Sequence, residues 1–513
     1  MPLSYTRRQS SIRMKSTASK LWDTSVHWVG THRLLLAICL VSLLVRLAFP
    51  LFLEPRASGI AAEHAMTALS IARGEGFHID REWLEEIWDL QLEQKRLIDL
   101  QELKPPEQPS FTVPSTDYPP GYPLLMAITF KLFGQARYIY VQVLALIIDA
   151  LVPPLLLYFL GSRLFHHIVG LVAASLYAVW LSFAYIAFEP RPEALLSSVS
   201  IALLATTFMF LRQGGWKWLA LTASLIAIGV NLRSDMFSVV PFFALAVLLA
   251  TKGPFRLKMV KGIAAGLVLA AVALVALVPY GFIQRDAFGR FAFATPALAT
   301  NVWQGIGEYP NPWGAVMSDV KIEGLLATQG LGYATPRAEQ YLWGKIRQAV
   351  NDDPMWFVRK TLDRAKRIIS MEYNWGVPRV VKTALDVPGE NVAANCSTWA
   401  LLPGGSATCW GLALAYIATA RFLILADWAL WLGAILGVII FRKRPYVWLL
   451  LVLPLARLIP FSFIHVEPRY ILYGMGPVLI FLAALLVYGW QSRANMIAFA
   501  RSAWPQHRRK VEG

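Results

Sequence analysis

The chain has 513 residues, a mean hydropathy of +0.49, 56% hydrophobic residues and 19 Trp, but only 16% charged residues. That composition excludes an ordinary soluble globular protein and points to a polytopic membrane protein. The net charge of +16 would suit nucleic acid, yet Lys and Arg gather at both termini and in short breaks beside apolar segments, the pattern of the positive-inside rule and of contact with membrane lipid. No nucleic-acid partner is expected.

In chain order, Arg7, Arg8, Arg13, Lys15, Lys20 and Arg33 precede an apolar span from Leu34 to Leu53 that only Arg46 interrupts. It reads as an uncleaved first transmembrane helix with a cytoplasmic N-terminus, and Arg46 as a side chain snorkelling to the interface. Residues 54–118 carry 13 acidic and 6 basic residues, a net of −7, as expected of a non-cytoplasmic loop. Inside that loop, Asp80 to Lys104 reads as an amphipathic helix on the membrane surface, capped by Asp80 and ended by Pro105 and Pro106. The turn from Ser115 to Pro123 follows. The apolar run after it, Leu124 to Phe133, is too short for a hydrocarbon core of about 30 Å and reads as half-inserted.

With that run excluded, spans near 138–160, 168–188, 193–211, 216–231, 236–250, 259–281, 420–441, 446–463 and 470–490 follow the first, and every basic break falls in the cytoplasm. The expected fold is therefore an all-α polytopic membrane protein of about ten transmembrane helices with a mixed external loop domain. Its expected divisions are 1–281, a transmembrane catalytic module with the external loop 54–118; 282–411, the external loop domain; and 412–513, the last helices and a basic tail. Cys396 and Cys409 share the large loop and are able to pair if it lies outside the cytoplasm.

This topology puts Glu63, Asp117, Glu189, Arg191, Glu193, Arg233, Asp235, His465, Glu467, Arg469 and Tyr470 on one side. Ionisable groups at a membrane boundary mark function when they converge on a cavity, although Glu189, Arg191 and Arg233 read equally well as solvated loop charges and Glu467 with Arg469 as a surface ion pair. Glu63 stands among Ala61, Ala62, Ala65 and Met66. A half-buried carboxylate has a raised pKa and is able to take a proton from an incoming hydroxyl. Arg233, Arg191 and Arg469 suit a phosphate, which guanidinium grips with two bonds. Tyr118, His465, Glu467 and Tyr470 are expected to line the site. Glu63 and Glu193 as holders of a divalent ion are a poor metal set without a His or Asp cluster. Trp303, Tyr309 and Trp313 are candidates for stacking on a sugar, or simple interface aromatics.

The order of these features, from the Ala-rich run behind Glu63 into Arg73-Gly-Glu-Gly-Phe77, through Tyr118-Pro-Pro-Gly-Tyr-Pro123, to Glu467-Pro-Arg-Tyr470, resembles the GT-C membrane glycosyltransferases. Their family 39 branch, with the protein O-mannosyltransferases and the aminoarabinose transferase of lipid A, is the nearest in pattern. The resemblance implies a GT-C-like helical bundle and a transferase that moves a sugar, with inversion, from a polyprenyl-phosphate donor to a lipid, glycan or protein acceptor through a hydroxyl or phosphate. It implies catalysis at the external, periplasmic face of a bacterial inner membrane, with Glu63, Glu193 and Asp117 as the catalytic acids. The family's usual Asp position reads Ile60 here. The competing expectations are a transporter or lipid flippase, disfavoured by the absence of repeats, and a non-catalytic scaffold.

Overall fold

The computed structural model describes residues 32–48, 59–94, 97–100, 112–251, 253–370, 425, 428–444, 446–465 and 468–493. Cys396, Cys409 and Glu467 lie outside them, as does the side chain of Arg469. Helix α1 covers 32–48, followed by α2 (Gly59–Arg73), strand β1 (His78–Asp80), α3 (Arg81–Gln94), β2 (Thr112–Pro114) and α4 (Gly121–Phe133). Next come α5 (Tyr138–Leu164), α6 (His167–Val179), α7 (Leu181–Phe188), α8 (Glu193–Gln213), α9 (Trp216–Leu232), a 3-10 turn (Ser234–Val239), α10 (Val240–Ala250), α11 (Phe255–Ala276) and α12 (Val278–Phe288). Four helices, α13 (Leu298–Gly307), α14 (Asp319–Ala327), α15 (Pro336–Asp352) and α16 (Pro354–Ser370), build the next segment. The described chain ends with α17 (Trp428–Phe441), α18 (Val452–Phe461), α19 (Pro468–Leu472) and α20 (Val478–Arg493).

The protein is an all-α polytopic membrane protein. Helices α5, α8 and α11 are long and apolar enough to cross a membrane, and α6 with α7 makes a fourth such unit bent by 56°. The break falls at Trp180, whose backbone leaves the helical region at ψ 108°, so the expected straight span over 168–188 is broken. The expected span over 259–281 also divides. Pro279, at the start of α12, has no N–H to continue the ladder. Helix α4 has 13 residues, about 20 Å of rise at 1.5 Å per residue, which agrees with the reading that it is too short to span.

Helices α5 and α6 meet where neither can carry a side chain. A Cβ on Gly170 would stand 2.5 Å from the Tyr158 carbonyl oxygen, and one on Gly161 would stand 2.8 Å from Gly170 Cα, the close backbone approach that holds membrane helices together without a hydrophobic driving force. Asp149, about three turns earlier on α5, forms an ion pair with Arg46 of α1 at 2.6 Å, both side chains being fully enclosed. Tyr177 of α6 donates to Asp149 at 2.6 Å and shares a 2.8 Å hydrogen bond with Ser197 of α8, while Arg46 Nη1 donates to Ser42 Oγ at 2.9 Å. Arg46 therefore does not snorkel. Its partner is 103 residues away, and a fully enclosed guanidinium is tolerable only with such a counter-charge.

The amphipathic helix expected from Asp80 to Lys104 is shorter, Arg81–Gln94. Asp80 does cap it, its carboxylate accepting from the Trp83 N–H at 3.2 Å. Its apolar face does not rest on a membrane. Trp83 and Ile87 are buried in the main core together with Ala61, Ala62 and Ala65 of α2, because the antiparallel pairing of β1 with β2, Ile79 opposite Val113, folds this segment back on itself. Helices α13 to α15 enclose a second core around Trp303, Ile306, Leu326, Leu342 and Ile346.

Replacing Asp149 by Leu is expected to cost about 3–5 kcal/mol by stranding Arg46 in an enclosed site, whereas Arg46→Met together with Asp149→Leu loses much less. Thermal unfolding of the purified protein in detergent measures both.

Candidate active site

The first half of the site is built on α2. Four alanines, Ala61, Ala62, Ala65 and Ala68, are fully buried on it; their small size lets α2 lie close to α4. The next side chain in that interface, Glu63, is only 7% exposed. Ser115 Oγ donates to Glu63 Oε1 at 3.4 Å, and Thr67 Oγ1 lies 2.8 Å from the Glu63 carbonyl oxygen and 3.0 Å from Ser115 Oγ. Ser115 is itself placed by its N–H bond to the Phe77 carbonyl at 3.1 Å. The following turn is pinned from α12: the Thr116 carbonyl accepts from Tyr280 and from Gln284, the latter at 2.8 Å, and Thr295 reaches the Asp117 carbonyl at 2.9 Å. Past the two prolines, Gly121 starts α4 where a Cβ would stand 2.6 Å from the Asn231 carbonyl oxygen. Glycine is thus required for α4 to abut the end of α9.

The second half lies at that end of α9. Arg233 donates through Nη1 to Glu193, at the start of α8, at 2.8 Å, and through Nε to Asp235 at 3.2 Å. Its guanidinium lies 4.4 Å over the Tyr470 ring, whose centroid is 5.8 Å from that of His465. Asp235 is shared with α18: Arg457 Nη1 donates to it at 3.2 Å, and Tyr473 donates to the same oxygen at 2.8 Å. Arg191 pairs with Glu189 at 3.3 Å.

His64 and Tyr118 join the two halves. The His64 ring is 1% exposed and stands 4.6 Å from Tyr118 and 5.2 Å from Tyr122, centroid to centroid. Burial, with the charges of Arg191 and Arg233 adding to it, pushes the His64 pKa down to about 3, so the imidazole is neutral at physiological pH. Its Nε2 makes no hydrogen bond among the described residues. Burial likewise raises the Tyr118 phenol, and Glu63, Asp117 and Tyr470 push it the same way while Arg233 opposes them. Burial works against the Arg233 charge, but Asp235 and Glu193 outweigh it and hold the guanidinium protonated.

Of the residues read from the sequence, Glu63, Asp117, Tyr118, Arg191, Glu193, Arg233, His465 and Tyr470 are thus brought into one electrostatically connected group. Three members were not foreseen. In the sequence, His64 reads as a neighbour of Glu63, Ser115 as part of a turn and Arg457 as part of an apolar span. The last was open to discovery, since an arginine inside a span calls for a partner. Trp303 is 1% exposed and Tyr309 9%, while Trp313 packs edge-on to Trp356 at 5.0 Å; these aromatics serve the core of their own segment and are not laid out for a sugar. Among the described residues no three His, Cys, Asp or Glu side chains gather as a metal-holding set. A cavity of about 580 Å³ lies elsewhere, lined by Val302, Trp343, Arg347, Asn351, Phe357 and Phe463 among others, and none of the charged group borders it.

Residues 117–280 match the family model of the dolichyl-phosphate-mannose-protein mannosyltransferases. The match is to a glycosyltransferase family. It agrees with the resemblance read from the sequence, and it takes in Asp117, Tyr118, Arg191, Glu193 and Arg233 but not Glu63. A comparison with curated proteins finds no match. Among solved structures the chain is similar to the oligosaccharyltransferase of Archaeoglobus fulgidus in its complex with zinc and sulfate, with 14% identity, a TM-score of 0.46 and coverage of 91% of this chain and 51% of that one. The apo form of the same enzyme gives 13%, 0.46, 91% and 52%, and the form tethered to an acceptor peptide gives 14%, 0.45, 90% and 50%. The chain spans about half the length of these structures, and nothing below rests on a likeness at this level.

A histidine with a lowered pKa makes stability depend on acid in a stated direction. Between pH 6.5 and about 3 the unfolded chain binds the His64 proton and the folded one does not, so stability is complete above pH 6.5 and falls as pH drops through that window. His64→Gln is expected to flatten this slope, read as the thermal midpoint between pH 7 and pH 4; an unchanged slope would exclude His64 as the source.

Proposed function

We propose that the protein is a glycosyltransferase that moves a sugar from a polyprenyl-phosphate donor to an acceptor hydroxyl or phosphate, at the external face of the membrane and with inversion. The observation that carries this reading is the pairing of two kinds of group around Tyr118: an enclosed carboxylate, Glu63, and a carboxylate-bound guanidinium, Arg233, both of which act on that buried phenol. Displacement at an anomeric carbon needs both functions, a base for the incoming hydroxyl and a cation for the departing phosphate.

In the proposed step the acceptor oxygen attacks the anomeric carbon as its proton passes to Glu63, and the bond to the donor phosphate breaks with its electrons going to that phosphate. Arg233 commits Nη1 and Nε to Glu193 and Asp235, which aim the guanidinium so that Nη2 faces the phosphate. Arg191 and Arg469 add positive charge for the same group. Glu193 acts by holding Arg233, and Asp117 by setting the potential at Tyr118. Tyr118, His465, Glu467 and Tyr470 line the path of the sugar and acceptor. Neutral His64 adds no charge to compete with the leaving phosphate. In-line attack inverts the anomeric centre. The acceptor is a lipid, glycan or protein, and the setting a bacterial inner membrane with this cluster on the periplasmic side. The division at 1–281, 282–411 and 412–513 is proposed with it, the first part holding the chemistry.

Glu63→Gln is expected to lower transfer by about 100-fold or more, the usual loss on removing a positioned base, with expression and membrane insertion intact. The assay is sugar transfer from a panel of polyprenyl-phosphate sugars in reconstituted vesicles, and full activity in the variant would remove Glu63 from its role. Arg233→Lys keeps the charge but loses the fork; it is expected to raise the KM for donor and lower kcat about tenfold. Unchanged dependence on donor concentration would count against a phosphate role.

A further inference from the structure

Helix α16 is buried along one face and bare along the other. Its buried face carries Arg364, fully enclosed, which donates through Nη1 to the Ser462 carbonyl at 3.2 Å and through Nη2 to the Gly305 carbonyl, and pairs with Glu308 at 3.4 Å. Lys360 and Arg367 close around the Tyr309 ring at 4.3 and 5.3 Å. The bare face carries Met355 at 61% exposure, Val358 at 48% and Leu362 at 65%, with Arg359 and Lys366 also exposed. Steps of three and four residues put these five side chains in one stripe opposite Arg364.

A helix face turned to water is polar, and three large apolar side chains in line mark a contact. The amphipathic stretch in the first loop shows the contrast, since the apolar face of α3 is covered by α2 and β1 and that of α16 is not covered by any described residue. Two observations identify the contact as lipid. Arg364, on the opposite face, ties α16 to Ser462, the first residue after the apolar helix α18, and the next residue, Phe463, is itself exposed. The charges on the stripe, Arg359 and Lys366, are both positive, and Asp363, the one acid of α16, is turned to Tyr309.

We propose that this face of α16 lies on an anionic phospholipid surface, with Met355, Val358 and Leu362 inserted at the headgroup level and Arg359 and Lys366 on lipid phosphates. The contact would hold the α13–α16 segment down on the membrane beside the end of α18, and does not depend on the reaction proposed above. The test uses the full chain with its three cysteines replaced, in vesicles of phosphatidylethanolamine with phosphatidylglycerol, carrying one nitroxide-labelled cysteine at position 358, 362 or 348. Gln348, exposed on α15, is the aqueous reference. Labels at 358 and 362 are expected to collide several-fold more with oxygen than with a water-soluble nickel chelate, with the reverse at 348. Arg359→Glu with Lys366→Glu is expected to abolish that preference at 362, and phosphatidylglycerol to be needed for its full extent. Labels at 358 and 362 as open to the chelate as at 348 would overturn the proposal. So would labels closed to both reagents, the result if residues 371–424, a second copy or another protein covers the stripe.

Discussion

The structure depends on the pairing of charge in a medium that does not tolerate it alone. An ionised side chain removed from water costs several kcal/mol unless a partner and hydrogen bonds return the loss, and this chain pays that cost in two linked places. Glu193, Arg233, Asp235 and Arg457 alternate in sign and draw together the start of α8, the end of α9, the 3-10 turn and α18. Below them, Arg46 and Asp149 lock α1 to α5, and Tyr177 passes the connection to Ser197, one turn along α8 from Glu193. The same helix therefore carries a site carboxylate at its mouth and a bond to the enclosed ion pair a turn deeper, which restricts how far Glu193, and Arg233 with it, is able to move.

The other half of the site is held by a different means. Helix α2 buries Ala61, Ala62, Ala65 and Ala68 and lies close to α4, and the turn at Ser115 to Asp117 is fixed by hydrogen bonds to its carbonyl groups from Tyr280, Gln284 and Thr295. Glu63 is set by this packing and by its hydrogen bond from Ser115. Between the halves stand two groups that stay uncharged, a phenol raised and an imidazole lowered by burial.

Much of this was legible in order along the chain. Breaks between apolar runs exposed Glu193, Arg233 and Tyr470, and the apolar neighbours of Glu63 announced its burial. Other features left no local trace. His64 looks like any loop histidine until Tyr118 and Tyr122 close over it from another segment. Arg46 has an ordinary reading as a snorkelling cation because Asp149, which enforces its burial, lies in a different span. The apolar face of α3 reads as a membrane-surface stripe because periodicity shows that a face is apolar without showing what covers it, and here α2 covers it.

The sequence by itself determined the class of the protein, its apolar helices and the residues that carry charge at their ends. Hydrophobicity and helical period are local properties, and the bilayer reads them locally. Only the tertiary structure decided which charges meet, which apolar faces are covered and which, as on α16, are left bare. Those outcomes rest on contacts between residues far apart in the chain, as in the bond of Tyr473 to Asp235 across 238 positions, and no window of the chain contains both partners.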